Sequence, residues 1–189
     1  KCDNSIEYLC RREKLKVFRG SEKDVLDRYF QASRKFKFNT IIRLTSDCPF
    51  IDYKEVSKIL RIHNYNNNDY TTNSFQDSTI VDGCDVEVFS FAALKRAHRD
   101  AQTMKDREHV TTFFTKENNF KISLIDPKFK LPYTRLTLDT PEDYEVISQI
   151  IDLVDDPINI DIETLGKIYF QKKLNCINNF IKRNSGWNK

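Results

Sequence analysis

Two aspartates follow short apolar segments whose pattern is typical of β-strands. Asp47 comes after the segment 41–44, Asp139 comes after the segment 135–138, and a proline stands two residues beyond each aspartate. In open α/β sheets, ligands bind just beyond the carboxyl ends of the strands, where an acidic side chain can meet a metal ion or a phosphate. We therefore predict a divalent-metal, nucleotide-handling site around Asp47 and Asp139.

Either aspartate could instead cap a helix, because Asp is common in such turns. The helices that we predict after these two positions have caps of their own, in Asp52 and Thr140. Both carboxylates are thus free of a capping role and remain candidates for binding a ligand.

The apolar residues recur with the periods of helices and strands in alternation, which indicates βα units and a mainly parallel α/β sheet. Pro141 directly after Thr140, with Asp143 as the third helical residue, is a strong start for a helix over 141–153. The other predicted helices cover 4–13, 91–102, 107–116, 161–173 and 176–183, and two more open at Ser21 and after Asp52. The predicted strands cover 15–18, 41–44, 69–73, 86–89, 120–125 and 135–138.

These elements predict one α/β domain over residues 1–160 and a helical tail over 161–189. We expect the tail to pack on the same domain, although its apolar residues could also form a dimer contact. No internal repeat or long linker interrupts the pattern.

The composition indicates a globular protein and argues against several other classes. The 189 residues are 39% hydrophobic and 31% charged, which allows one good core. The net charge of +3 is spread along the chain, so nothing requires a nucleic-acid partner. No apolar stretch approaches the roughly 20 residues that span a bilayer, and no leader opens the chain. We expect a soluble cytoplasmic protein without a membrane partner.

The five cysteines do not form a metal or redox motif. They are scattered, without a Cys-x-x-Cys pair, which favours reduced thiols over a zinc site. Cys48 lies beside Asp47, but no base is implied next to it, so we do not expect a nucleophile there.

Five segments together resemble the spore coat polysaccharide biosynthesis protein F group of sugar cytidylyltransferases. The segments follow one order over nearly the whole chain: VFRGSE at 17–22, RLTSDCP at 43–49, DGCDVEVF at 82–89, REHVT at 107–111 and LDTPED at 138–143. The resemblance implies a glycosyltransferase-A-like, Rossmann-like fold that transfers CMP from CTP to an acidic sugar of the nonulosonic or octulosonic type. It also implies surface polysaccharide biosynthesis, a homodimer, and one Mg²⁺ held by Asp47 and Asp139.

In that family a Gly-rich basic loop at the end of the first strand wraps the CTP phosphates, and this sequence begins after it. Nucleotidyl transfer needs the polyphosphate held in line and its charge neutralised. The four glycines of the chain offer no substitute for such a loop. We therefore expect the chain alone to be inactive.

Arg107, Glu108 and His109 are candidates for binding the sugar. They open the predicted helix 107–116, where exposed amides attract anions and an arginine suits a carboxylate. The resemblance implies that this segment lies on the sugar side of the cleft. His109 could equally be structural, and Arg107 could instead pair with Glu108 or Asp106 at the surface.

The turn at Asp82 and Gly83 is a second candidate segment for the sugar. Gly83 can supply the positive φ that such a turn needs. The resemblance implies that the segment borders the sugar pocket, which makes Asp82 and Asp85 weak candidates for hydrogen bonds to hydroxyls.

Four further charged residues are weaker candidates for substrate contacts. Glu87 alternates with apolar neighbours and could reach the cleft. Arg19, Arg43 and Arg135 are possible phosphate contacts, although solvated arginines at strand ends are common.

Two other functions stay open. A nucleotide-sugar-dependent glycosyltransferase could use the same architecture, but it typically carries an Asp-x-Asp pair, and none stands at a predicted strand end. A non-catalytic remnant or assembly module is the third possibility.

Overall fold

The computed structural model describes residues 3–75, 80–117, 119–127, 131 and 134–182. These residues divide between two compact units. The first unit spans residues 1–41 and 90–120, and the second spans 42–89 and 121–189. The last part of the predicted tail, residues 183–189, lies outside the described residues.

The described residues form nine helices and four strands. In order they are α1 (Asn4–Arg12), α2 (Val25–Phe36), β1 (Thr40–Arg43), α3 (Tyr53–Asn66), β2 (Tyr70–Thr72), β3 (Glu87–Ser90), α4 (Phe91–Asp100), α5 (Met104–His109), α6 (Thr112–Lys116), β4 (Ile122–Leu124), α7 (Pro141–Leu153), α8 (Ile162–Gln171) and α9 (Asn175–Asn178).

The four strands form one sheet in the order β1-β3-β2-β4. Strand β2 runs antiparallel to β3, with Tyr70 opposite Phe89, and parallel to β4, with Tyr70 opposite Ile122. The predicted α/β class is confirmed, and the sheet is mixed because β3 opposes β2.

In the first unit, helix α2 begins later than the sequence predicts. Its cap is Asp24, whose side chain accepts a hydrogen bond from the amide of Asp27, and Ser21 accepts one from the amide of Asp24 instead of capping the helix. The predicted helix over 107–116 is wrong, since two short helices, α5 and α6, replace it. The break lies at Val110, whose φ is +62°.

Two predicted strands are not strands in the structure. Residues 15–18 carry no regular secondary structure. Within 135–138, Arg135 forms an isolated parallel bridge with Asp82. Four residues with a strand-like sequence pattern form a strand only when an adjacent segment makes backbone hydrogen bonds to them along their length.

The main apolar cluster of the second unit combines helices α7 and α8 with the segments around them. Helix α7 is fixed by a capping box in which Thr140 and Asp143 each accept a hydrogen bond from the other's amide. In the tail, Ile168 and Ile177 pack against the cluster, whereas Phe170 and Phe180 are exposed. The buried members are Phe50, Ile80, Val81, Cys84, Leu136, Val146, Ile147, Ile150, Ile162, Leu165, Tyr169 and Leu174.

None of the helices in the described ranges is long and apolar enough to cross a bilayer.

Candidate functional site

Asp47 and Asp139 come from two segments that a backbone hydrogen bond joins. Asp47 lies in the loop after β1, and its carbonyl oxygen accepts a 2.8 Å hydrogen bond from the amide of Leu138. Asp139 is the next residue after Leu138. The two strand-end segments of the sequence are therefore adjacent in the second unit.

Neither aspartate caps a helix, because the expected caps are in place. The amide of Lys54 donates to the Asp52 carboxylate at 2.7 Å, and Thr140 caps α7. The side chain of Asp139 is 41% exposed. Asp47 is half-buried, and its Oδ1 accepts a long, 3.6 Å contact from the Cys48 thiol.

Arg135 is buried among three carboxylates. Its guanidinium donates to Asp82 at 3.2 Å, to Asp139 at 2.8 Å and twice to Asp143 at 2.8 and 2.9 Å. Burial opposes its positive charge, but the hydrogen bonds and charges of these aspartates outweigh burial and raise the pKa of Arg135. The predicted phosphate contact is thus a buried cation that fixes the carboxylates around it.

Asp139 is the most accessible of the three carboxylates around Arg135. Its side chain is far more exposed than that of Asp82 (7%) or Asp143 (0%). In the described part of the chain, no group of three or more His, Cys, Asp or Glu side chains could hold a metal ion. Asp47 and Asp139 fit Mg²⁺ if substrate phosphates complete its coordination.

The turn at Gly83 has the conformation that the sequence predicts. Gly83 has a φ of +101°, and a Cβ atom there would lie 2.6 Å from the backbone carbon of Leu136. The amide of Leu136 donates to the carbonyl of Asp82 at 2.7 Å. Only glycine allows this close approach. Asp85 is partly buried two residues farther on, and the role of Asp82 and Asp85 toward a sugar stays a prediction.

Arg107, Glu108 and His109 lie in the first unit, at the carboxyl end of α5. The anion-attracting helix start that we expected is therefore absent at these residues. Arg107 forms an ion pair with Asp24 and donates to the carbonyl of His98 at 2.9 Å. Glu108 is exposed and His109 is half-buried, and their contact with a sugar stays a prediction.

The weaker candidates are engaged within the protein. Arg43 forms a buried ion pair with Glu87, and the Tyr70 hydroxyl donates to Glu87 at 2.6 Å. Arg19 pairs with Glu7 at the surface at 3.0 Å. The structure thus gives Arg43 and Glu87 a structural role within the second unit.

The sequence did not reveal the residues behind Arg135. The sequence places Asp143 at the third position of α7, where it takes part in the capping box. Burial acts to raise the pKa of Asp143, but hydrogen bonds from Arg135 and Asn178 outweigh burial and lower it. Asn178 and Tyr169 are fully buried beside it. The sequence offered one sign of this network: polar residues stand at helical positions where the apolar period predicts buried side chains. Buried polar side chains are normally hydrogen-bonded to one another or to the backbone.

Comparison with known proteins identifies the family. A family model described as cytidylyltransferase matches residues 1–180. An uncharacterised protein of Methanocaldococcus jannaschii is 36% identical over 166 residues, which cover 86% of this chain and 66% of that protein. The spore coat polysaccharide biosynthesis protein SpsF of Bacillus subtilis is 30% identical over 151 residues, which cover 78% of this chain and 62% of that protein. The chain thus spans less than two thirds of the length of these relatives.

A solved structure supports the same assignment. The cytidylyltransferase from Leptospira borgpetersenii superposes with a TM-score of 0.87 at 28% identity, covering 93% of this chain and 74% of that chain. The resemblance and the Rossmann-like fold predicted from the sequence are both confirmed. The chain belongs to the cytidylyltransferase family.

Proposed function

We propose that the protein transfers CMP from CTP to an acidic sugar that is destined for a surface polysaccharide. The observation that carries the proposal is the hydrogen bond from the amide of Leu138 to the carbonyl of Asp47, which joins the backbone segments that carry Asp47 and Asp139 in a chain of this family. SpsF, a relative, is named for spore coat polysaccharide biosynthesis, which supports a sugar as the acceptor.

In this reaction a sugar hydroxyl oxygen forms a bond to the α-phosphorus of CTP and loses its proton to solvent, while the bond from the α-phosphorus to the bridging oxygen breaks and pyrophosphate leaves with that oxygen. Asp47 and Asp139 would hold Mg²⁺, which neutralises charge on the triphosphate when it is bound. Arg135 keeps Asp139 oriented through a 2.8 Å hydrogen bond. A backbone hydrogen bond holds the loop of Asp47 against the segment that precedes Asp139, which limits the relative movement of the two backbone segments.

The test is release of pyrophosphate by the full-length protein with CTP, Mg²⁺ and a panel of sugars. The panel contains a nonulosonic acid, an octulosonic acid and a neutral hexose. We expect turnover with an acidic sugar and none with the hexose, because we propose that the enzyme recognises the carboxylate of the sugar. Turnover with the hexose alone would show that the acceptor is not an acidic sugar, while CMP transfer itself would still be supported.

Three variants test the aspartates. We expect Asp47→Asn and Asp139→Asn each to lower kcat/KM by about 100-fold or more, since each loses a ligand charge in the transition state. Asp155→Asn is the matched control, because Asp155 is an exposed aspartate of the same unit. Wild-type turnover in both site variants would refute the metal assignment.

The same samples distinguish the other functions. Consumption of a UDP-sugar without CTP would indicate a glycosyltransferase. Absence of CTP binding in calorimetry with Mg²⁺ would indicate a non-catalytic module. The homodimer stays a prediction of the resemblance, and the cytoplasmic location stays a prediction of the sequence.

A further inference from the structure

A chain of buried hydrogen bonds leads from the C-terminal helices to the candidate metal ligand. The Tyr169 hydroxyl of α8 donates to Oδ1 of Asn178 at 2.6 Å. The Asn178 amide nitrogen donates to the Asp143 carboxylate at 2.9 Å and to the carbonyl of Arg135 at 3.1 Å. Asn178 therefore touches both residues that fix Asp139.

Asp143 reaches Asp139 by two routes. It accepts two hydrogen bonds from the guanidinium of Arg135, which in turn donates to the Asp139 carboxylate at 2.8 Å. It also accepts a 3.2 Å hydrogen bond from the backbone amide of Asp139 itself. Movement of Asp143 would thus shift both the backbone and the side chain of Asp139.

Asn178 is a side chain from the C-terminal helices that hydrogen-bonds to the Asp143 carboxylate. Its amide oxygen accepts a hydrogen bond from the Tyr169 hydroxyl. Its two amide hydrogens are donated in hydrogen bonds to the Asp143 carboxylate and the Arg135 carbonyl. All of these groups are buried, with Asn178, Tyr169 and Asp143 at 0% exposure. An apolar residue at 178 would leave the carboxylate and the carbonyl short of a donor.

We propose that Asn178 is a positioning residue for Asp139, so that the C-terminal helices set the affinity of the site for a divalent cation. The inference rests on the proposed function, because it needs Asp139 to be a metal ligand. Partners that orient metal ligands from behind typically change metal affinity by about 10- to 100-fold when they are removed.

The experiment measures Mn²⁺ binding to the full-length protein with CTP, by electron paramagnetic resonance, so that no turnover is required. Asn178→Leu removes the amide without adding charge, and Asn179→Leu is its control at the exposed next residue. Tyr169→Phe removes one hydroxyl and keeps the buried ring, and Tyr144→Phe is its control, because Tyr144 is 65% exposed. Asp139→Asn provides the reference for loss of a ligand.

We expect Mn²⁺ affinity to fall about 10-fold or more in Asn178→Leu and by less in Tyr169→Phe, which keeps the amide in place. Both controls should bind as the wild type does. If Asp139→Asn weakens binding while Asn178→Leu and Tyr169→Phe keep the wild-type affinity, the positioning role is wrong and the metal site stands. If the wild type binds no Mn²⁺, or Asp139→Asn binds it unchanged, both the metal site and the positioning role are wrong.

Discussion

A buried guanidinium needs hydrogen-bond acceptors within the protein, and Arg135 donates to Asp82, Asp139 and Asp143. Removing the arginine would leave the buried carboxylates of Asp82 and Asp143 without their cation, and breaking a buried ion pair costs about 3–5 kcal/mol. Arg135 therefore ties the turn at Gly83 to the start of α7. At the scale of single residues, the candidate site is held by an ion cluster and not by apolar packing alone.

Cys48 shows how burial suppresses chemistry beside the same site. Burial and the charges of Asp47 and Asp85 together raise the pKa of Cys48 to about 12, although the hydrogen bond with Thr45 acts to lower it. At pH 8 such a thiol is ionised in about one molecule in 10,000, and the thiolate is the reactive form.

We predict that iodoacetamide at pH 8 leaves Cys48 of the folded protein unmodified and alkylates Cys176, which is exposed. Peptide mass spectrometry measures both thiols in one sample, and Cys176 serves as the internal control. Alkylation of Cys48 at a similar rate would mean that the thiol is activated, and would reopen a nucleophilic role for it.

At the scale of elements, helices whose caps are local could be predicted from the sequence. The helix predicted over 141–153 is observed as Pro141–Leu153, because Thr140, Pro141 and Asp143 fix its start within four residues. Asp52 likewise caps α3 as expected. Capping signals involve residues that are close in sequence, so they can be recognised without knowledge of the rest of the fold.

Elements that depend on distant partners could not be predicted. No glycine or proline marks the break at Val110, a fully buried β-branched residue with positive φ, so tertiary packing must end α5 there. The acceptors of Arg135 show the same limit for the site. Asp82 lies 53 residues from it in sequence, and no local pattern selects that aspartate over the others.

Asp106 joins α5 to α6 across this break. Its buried carboxylate accepts hydrogen bonds from Thr103, Thr112 and Lys116 at 2.5 to 2.7 Å. Burial alone would raise its pKa, but these three donors, with the charge of Lys116, lower the pKa of Asp106 below its ordinary value of 3.8. The unfolded chain therefore binds a proton more readily than the folded one in this pH range.

We predict that Asp106→Asn lowers the free energy of unfolding by about 1–3 kcal/mol at pH 7. The difference from wild type should shrink as the pH falls below about 4, where the wild-type carboxylate takes up its proton. Urea unfolding at pH 7 and at pH 3 measures both values. Asp100→Asn, at an exposed aspartate of α4, is the control and should change little. A difference that does not depend on pH would show that the ionised carboxylate is not the stabilising form.

At the scale of the whole molecule, the second unit draws much of its core from the C-terminal helices. Ile162, Leu165, Tyr169 and Leu174 belong to the same buried cluster as Leu136. The boundary that we predict at residue 160 therefore does not separate a dispensable tail, even though the predicted domain division itself stays a prediction.

We predict that a chain ending at Ile160 does not keep a folded second unit. Loss of a large buried side chain costs about 2–5 kcal/mol, so the loss of four costs about 8–20 kcal/mol, which is as large as the 5–15 kcal/mol that stabilises a typical domain. Circular dichroism during thermal unfolding measures the result, with Lys167→Ala in the complete chain as a control, because Lys167 is exposed on α8. The control should unfold cooperatively near the wild-type midpoint, and the shortened chain should lack that transition. An unchanged transition in the shortened chain would mean that α8 and α9 rest on a core that is complete without them, which would also remove the physical basis for a link from Asn178 to Asp139.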